Sequence, residues 1–437
     1  MFNRTLGALF VSLLSGTAAM AGPLPAPVND DDFHTFPAEL IELGRDLFFD
    51  PILSGNKNIA CATCHHPSLG TSDAMSLALG EGGIGLGRAR HVDPANVPHE
   101  RVPRNAPALF NLGAKEFTVM LHDGRTAKDR HAMFGIAMPD GRTLERPMPS
   151  PLAAQNILPI LSPAEMAGNP GENEVADAVA AQRLMGPNGA WDILARRVDA
   201  ISEYRQRFAA LGTVGLHIND IGTALSAFIG SEFRATYSPF DQYLRGEDAM
   251  TEAQLDGMDL FYGKARCSTC HSGSFQTDHN FHAIGMPQFG PGKSEYADKG
   301  RGIVTGVPDD MYRFRTPTLR NVTQSGPYGH NGPYSDLEDI VVHHLDAVKG
   351  LASYDREKAL LSGDLKVMDW EALDDFDEVM RIAEAIEIVD VTLDQAEIDK
   401  IMAFLGALTD EGAGKRGLGV PNSVPSGLAI DAVAPPS

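Results

Sequence analysis

The sequence predicts an all-α fold, because apolar residues recur at helical spacing, capping patterns recur along the chain, and signals for β-hairpins are few. Ile218, Ile221, Leu225 and Phe228 form one such face, closed by Ser238-Pro239. Thr251-x-x-Gln254 is a capping box that opens a helix running toward Phe261. Ser335-Asp336-Leu337-Glu338 opens another, with Leu337, Ile340, Val341, His344 and Leu345 on one face and His343 turned about 100° from it. Thr392-x-x-Gln395 caps the last, with Ile398, Ile401, Met402 and Leu405 on one side. Long glycine- and proline-containing stretches separate these helices, and such loops need a ligand or cofactor to order them.

The 437-residue chain opens with an export signal. Asn3-Arg4 precedes an apolar run over 6–14, and Ala19-Met20-Ala21 offers a small-x-small cleavage site before Gly22. This is the pattern of a secretory signal at 1–21 rather than of a membrane anchor. No later stretch approaches the ~20 apolar residues of a spanning helix. The mature chain is therefore expected in the periplasm, without a membrane span. Its length suits two domains, divided here near Pro239 into 22–238 and 239–410. The Gly-, Pro-, Ser- and Ala-containing remainder, 411–437, reads as a disordered tail. No internal repeat shows beyond the motifs described next.

All four cysteines fall in two Cys-x-x-Cys-His segments, Cys61-Ala62-Thr63-Cys64-His65 and Cys267-Ser268-Thr269-Cys270-His271. In an exported chain this is the attachment signal for c-type haem: two thiols add to the vinyl groups and the adjacent histidine becomes the proximal iron ligand. The competing reading is one tetrahedral zinc on the four cysteines. It leaves the two following histidines unexplained, so two covalent haems c are the expected cofactors, one per domain. The formal net charge of -22 excludes nucleic acid and anionic membrane as partners and suits a basic electron-transfer protein.

A haem moves electrons when its second axial position is filled and meets peroxide or oxygen when it is open. His344, on an apolar helical face, is the candidate sixth ligand of the second haem. Near the first, Gln155 and Glu165 flank the apolar run Leu158-Pro159-Ile160-Leu161. A carboxylate over an open iron can carry a proton between the two peroxide oxygens. Ser162-Pro163-Ala164-Glu165 is equally a capping box with proline at the first helical position, so Glu165 has two readings from pattern alone.

Together these segments resemble the bacterial di-haem cytochrome c peroxidase and MauG family. The resemblance rests on both haem motifs and on Pro103-Arg104-Asn105-Ala106-Pro107, His122-Asp123-Gly124-Arg125, Ser162-Pro163-Ala164-Glu165-Met166, Ser238-Pro239-Phe240-Asp241, and Thr316-Pro317-Thr318-Leu319-Arg320-Asn321 running on to Pro327-Tyr328-Gly329-His330-Asn331-Gly332. It implies two cytochrome c-like domains with a calcium ion between them, peroxide chemistry at the N-terminal haem and electron entry at the C-terminal one. It assigns Gln155 and Glu165 as the distal pair, with Glu165 as acid/base. It also implies Asn105, Ser325 and Pro327 as calcium ligands, the last two through carbonyls, with Ser325 where threonine is usual.

Three departures from that family stand out. His122 occupies the position of a tryptophan that commonly bridges the haems, and Trp191 and Trp370 lie elsewhere, so any bridge at that point is an imidazole. His344 stands where peroxidases place methionine and MauG tyrosine, which implies a bis-histidine haem of lower potential. The glycine-rich loop 72–101 holds His91 and His99, read as surface histidines, with a removable cap on the first haem as the alternative. The segment 131–150, with Met133, Met138 and Met148, reads as a lid or partner surface. The function expected is reduction of hydrogen peroxide with electrons from a periplasmic cytochrome c or cupredoxin. The alternatives are MauG-like oxidation of a partner protein's side chains and non-catalytic electron carriage.

Overall fold

The computed structural model describes residues 24–139, 142–363 and 365–431, so the expected signal at 1–21 lies outside the described residues. Helices dominate, and the strands are two or three residues long, gathered into small antiparallel sheets. The segment 131–150 contributes to one of them: Ile136–Ala137 pairs with Thr126–Lys128, which pairs in turn with Val119–Met120.

Two helix pairs organise the molecule. Helix Ala38–Phe49 crosses Ile218–Glu232 at Gly44, where a β-carbon would stand 1.9 Å from the Ala224 carbonyl oxygen and 2.9 Å from Phe228 Cβ. Helix Glu252–Tyr262 crosses Gln395–Ala407 at Gly257 in the same way, 1.9 Å from the Lys400 oxygen and 3.0 Å from Phe404 Cβ. Glycine inside a helix costs roughly 1 kcal/mol relative to alanine. Here the missing side chain lets two backbones touch. Each pair has its glycine helix just ahead of one Cys-x-x-Cys-His segment, so the two halves share a plan that the sequence does not display as a repeat.

Each pair anchors its own core. The first draws on residues 28–235 together with Phe275, Ala413 and Val424, with Phe48, Phe49, Phe228 and Phe233 at its centre. The second draws on 240–408, around Phe240, Phe261 and Phe404. Between them run buried polar ties: Arg101 to Asp369, Arg104 to Asp298, and Ser76 Oγ to the Gly332 carbonyl.

Three expectations need correction. The last helix starts two residues later than expected, capped by Asp394 with Glu397 at its third position instead of Thr392 with Gln395: the Asp394 carboxylate accepts the Glu397 amide and the Glu397 carboxylate accepts the Asp394 amide. The helix carrying His344 is capped by Asp336, not Ser335. The tail, expected to be disordered, is packed as far as Asp431. Glu232 accepts the Leu418 and Gly419 amides, Ser426 Oγ donates to Asp50, Val424 is buried, and Asp431 accepts the Thr63 hydroxyl at 2.5 Å. Isolated apolar residues and chain amides hold it, which leaves no periodicity to read.

Candidate functional site

Both cysteine motifs are single turns that set the two sulfurs three residues apart on one face. Cys61–Cys64 is helical, its entry fixed by the Ala60 amide donating to Thr63 Oγ1. Cys267–Thr269 forms a tighter turn closed by the Cys270 and His271 amides on the Cys267 carbonyl. Burial pushes the thiols of Cys61, Cys64 and Cys267 up to about 12 and raises that of Cys270. Cys61 and Cys64 pack on the first core and Cys267 on the second, so the four do not converge on one ion.

The adjacent histidines are oriented alike. His65 Nδ1 lies 3.0 Å from the Thr71 carbonyl oxygen and His271 Nδ1 lies 3.1 Å from that of Gln276. A carbonyl only accepts, so each Nδ1 carries the hydrogen and each Nε2 keeps its lone pair, the arrangement an iron ligand requires. Burial lowers both basicities, His271 to about 4, so both rings are neutral. These residues fit covalent haem at each motif.

The structure separates His343 from His344. His343, expected to turn away from the core, is the more buried at 2% exposure, and both of its nitrogens are engaged, Nδ1 with the Tyr334 hydroxyl and Nε2 with the Ile284 carbonyl. His344 uses only Nδ1, on the Ile340 carbonyl one turn back, and no hydrogen bond reaches its Nε2 among the described residues. It lies close enough to His271 to lower that ring's basicity. Of the two, His344 alone has a nitrogen to offer to the second motif.

Gln155 ends the helix Pro151–Gln155, and Glu165 lies in the short turn Pro163–Ala167. Ser162 Oγ caps the Glu165 amide, yet among the described residues the reciprocal bond from the Ser162 amide to the Glu165 carboxyl is not formed. Burial raises that carboxyl's pKa against the pull of Lys293, Arg125, the Ser162 hydroxyl and Arg104. Glu165 also bears on the Cys64 thiol, which sets it beside the first motif. Gln155 Oε1 is buried without a partner. Trp191 is buried behind this pocket, its indole donating to the Ile157 carbonyl, whereas Trp370 packs on Phe289.

His122 sits in the bend between Val119–Met120 and Thr126–Lys128, and its carbonyl accepts the Arg315 amide from the second half. Burial and then the nearby Arg104, His330 and Arg315 hold its basicity well below the usual histidine range, so the ring is neutral. Arg104 is tied to Asp298 at 2.6 Å and Asp123 at 2.7 Å. Neither Lys293 nor the buried His330, stacked on Phe314, was singled out from sequence. His330 lay inside a noted motif, while Lys293 stands in a loop without pattern. His91 and His99 are both exposed.

Asn105 joins the two halves: its amide nitrogen lies 2.6 Å from the Pro327 carbonyl oxygen, and its Oδ1 is buried without a partner. An unpartnered amide oxygen beside the Pro327 carbonyl is the kind of oxygen donor a hard cation such as calcium takes.

Two helix-anchored motifs, each with an oriented histidine, define a c-type di-haem oxidoreductase. A family profile described as di-haem cytochrome c peroxidase matches residues 38–249. The chain is 30% identical over 315 residues to the methylamine utilization protein MauG of Methylorubrum extorquens, covering 70% of this chain and 69% of that one. It is 29% identical to the cytochrome c551 peroxidase of Nitrosomonas europaea, covering 78% and 81%. Among solved structures, a MauG-like protein associated with microbial copper homeostasis superposes with a TM-score of 0.56 at 26% identity, covering 92% of this chain and 97% of that one. The diheme peroxidase BthA from Burkholderia thailandensis shares the fold, with a TM-score of 0.57 at 20% identity and 92% of each chain covered. The chain belongs to the di-haem cytochrome c peroxidase and MauG family.

Proposed function

We propose that this protein is an exported peroxidase that reduces hydrogen peroxide at the haem held by Cys61, Cys64 and His65, with electrons entering through the haem held by Cys267, Cys270, His271 and His344. The observation that carries the reading is the contrast between the two sites. On the first side stand a buried acid of raised pKa and an unpartnered amide oxygen, while the second side is flanked by a further histidine with a free Nε2.

Haem iron, when bound, supplies peroxide coordination and one-electron redox chemistry. Glu165, as carboxylate, would accept a proton from one peroxide oxygen, and as acid it would return that proton to the other, which leaves as water. Lys293 and Arg125 keep the anion accessible in a buried place that would otherwise hold it protonated. Gln155 orients the peroxide through its amide. Neutral His122, fixed at the junction of the halves, offers a bridge for electrons, and Asn105, Ser325 and Pro327 would hold a calcium ion, which would tie the halves together. The donor is a small periplasmic cytochrome or cupredoxin.

Steady-state peroxide reduction with reduced cytochrome c tests this. Turnover that depends on both His344 and Glu165 supports it. Absence of turnover, with peroxide instead modifying a partner protein, favours the MauG-like alternative that the 30% identity to MauG keeps in view. No spectral response to peroxide in any redox state leaves an electron carrier.

A further inference from the structure

Asp73 has no part in the chemistry above, and its surroundings are unusual. It is 0% exposed. Its Oδ1 accepts the Met75 amide at 3.1 Å, and its Oδ2 has no hydrogen-bond partner among the described residues. After burial, its charge is the largest influence on the Cys64 thiol, ahead of Arg90 and Glu165, so Asp73 stands at the attachment edge of the first motif. Arg90 is the one cation whose charge bears on it. Arg90 forms no ion pair with Asp73 among the described residues. Its guanidinium donates instead to the carbonyls of Leu79, Gly80 and Gly85, at 2.6, 2.6 and 2.7 Å. The loop thus buries a carboxyl without an ion-pair partner among the described residues, beside the first Cys-x-x-Cys-His motif.

A buried, uncompensated carboxyl answers strongly to any nearby change of charge. Burial pushes it up to about 7, against the Met75 amide and Arg90. Reduction of an adjacent iron removes one positive charge and makes the carboxylate harder to maintain. We propose that Asp73 is the redox-linked proton site of the first haem, taking up one proton as that iron gains one electron and releasing it on reoxidation. The balance is one electron from the donor and one proton from solvent, with –COO⁻ becoming –COOH and iron(III) becoming iron(II). The inference rests on the haem reading of Cys61-Cys64-His65 and on no step with peroxide.

The sign follows directly. Between the acid's two pKa values, in oxidised and reduced protein, raising the pH disfavours reduction. The ferric-to-ferrous ratio of the first iron at fixed potential then rises up to tenfold per pH unit, equivalent to ~59 mV for one electron.

EPR-monitored redox titration of the holoprotein from pH 5 to 9 resolves the two irons. The wild type is expected to show this slope at the first iron, and Asp73→Asn, with both haems attached by pyridine haemochrome assay, is expected to lose most of it. An unchanged slope in that variant overturns the proposal while leaving the haem reading intact, and a missing first haem overturns the reading itself. Should Asp73→Asn fail to fold, the redox-difference infrared spectrum of the wild type decides. A protonated-carboxyl band gained on reduction at pH 7 and shifted in D₂O supports Asp73, and the absence of such a band at every pH overturns it.

Discussion

Replacing Glu165 by glutamine keeps shape and removes only the ability to carry a proton, so peroxide turnover should fall by about 10²- to 10⁴-fold with both haems retained. Because burial raises this carboxyl, the acidic limb of kcat/KM in the wild type should lie above the ordinary glutamate range of about 4.3, with activity rising as Glu165 deprotonates. That limb should vanish in Glu165→Gln, and a variant with full activity sinks the shuttle. Replacing His344 by glycine should convert the low-spin signal of the second haem to high spin. The same change at His343 should cost stability through its two lost hydrogen bonds and spare the signal. At this scale the motifs were legible because haem attachment fixes residue type and spacing. The helical period put His344 on the apolar face, but the burial of His343 was not readable, because it is set by its hydrogen bonds to Tyr334, nine residues before it, and to Ile284, 59 residues before it.

Among the elements, the glycine crossings make the sharpest claim. A methyl group at Gly44 or Gly257 meets a backbone oxygen 1.9 Å away, so Gly44→Ala and Gly257→Ala should each destabilise by about 1–3 kcal/mol or more, as overpacking does. On helix propensity alone each change would stabilise by roughly 1 kcal/mol. Denaturant midpoints of the two holoproteins settle the sign. The helix faces around Ile218 and Ile398 were readable from their period, whereas the start of the last helix was not. Thr392 and Asp394 both satisfy capping rules, and only the tertiary placement of the chain chooses between them. The shared plan of the two halves escaped sequence reading because a crossing needs one glycine and a facing backbone, which leave almost no pattern.

For the molecule as a whole, the Arg104 network and the tail tie the halves together. Burial alone would raise the Asp298 and Asp123 carboxyls, but Arg104, joined by His330 and the Gly300 amide at Asp298 and by Arg125 at Asp123, holds both below the ordinary range. A depressed carboxyl stabilises the fold above its unfolded pKa of about 3.9 and loses that contribution as pH falls through the folded value. Stability should therefore drop below pH 4 in the wild type, and Arg104→Met should remove about 3–5 kcal/mol at pH 7, where it strands the buried Asp298 carboxylate and leaves Asp123 with Arg125 alone. Equal urea midpoints for the two proteins at pH 7 would exclude this role. Deleting 411–437 should loosen the first motif, because Asp431 no longer holds Thr63 and Val424 no longer fills its core. Hydrogen exchange faster at 60–66 than at 267–271 is the expected result, and equal rates contradict it.

The division of labour between the two haems is tested most directly by low-temperature EPR of the fully ferric protein. With His344 beside His271, and with His91 and His99 exposed, the account predicts one low-spin signal from the second iron and one high-spin signal from the first. Two low-spin signals would mean that the first iron is capped at rest and would contradict an open peroxide site.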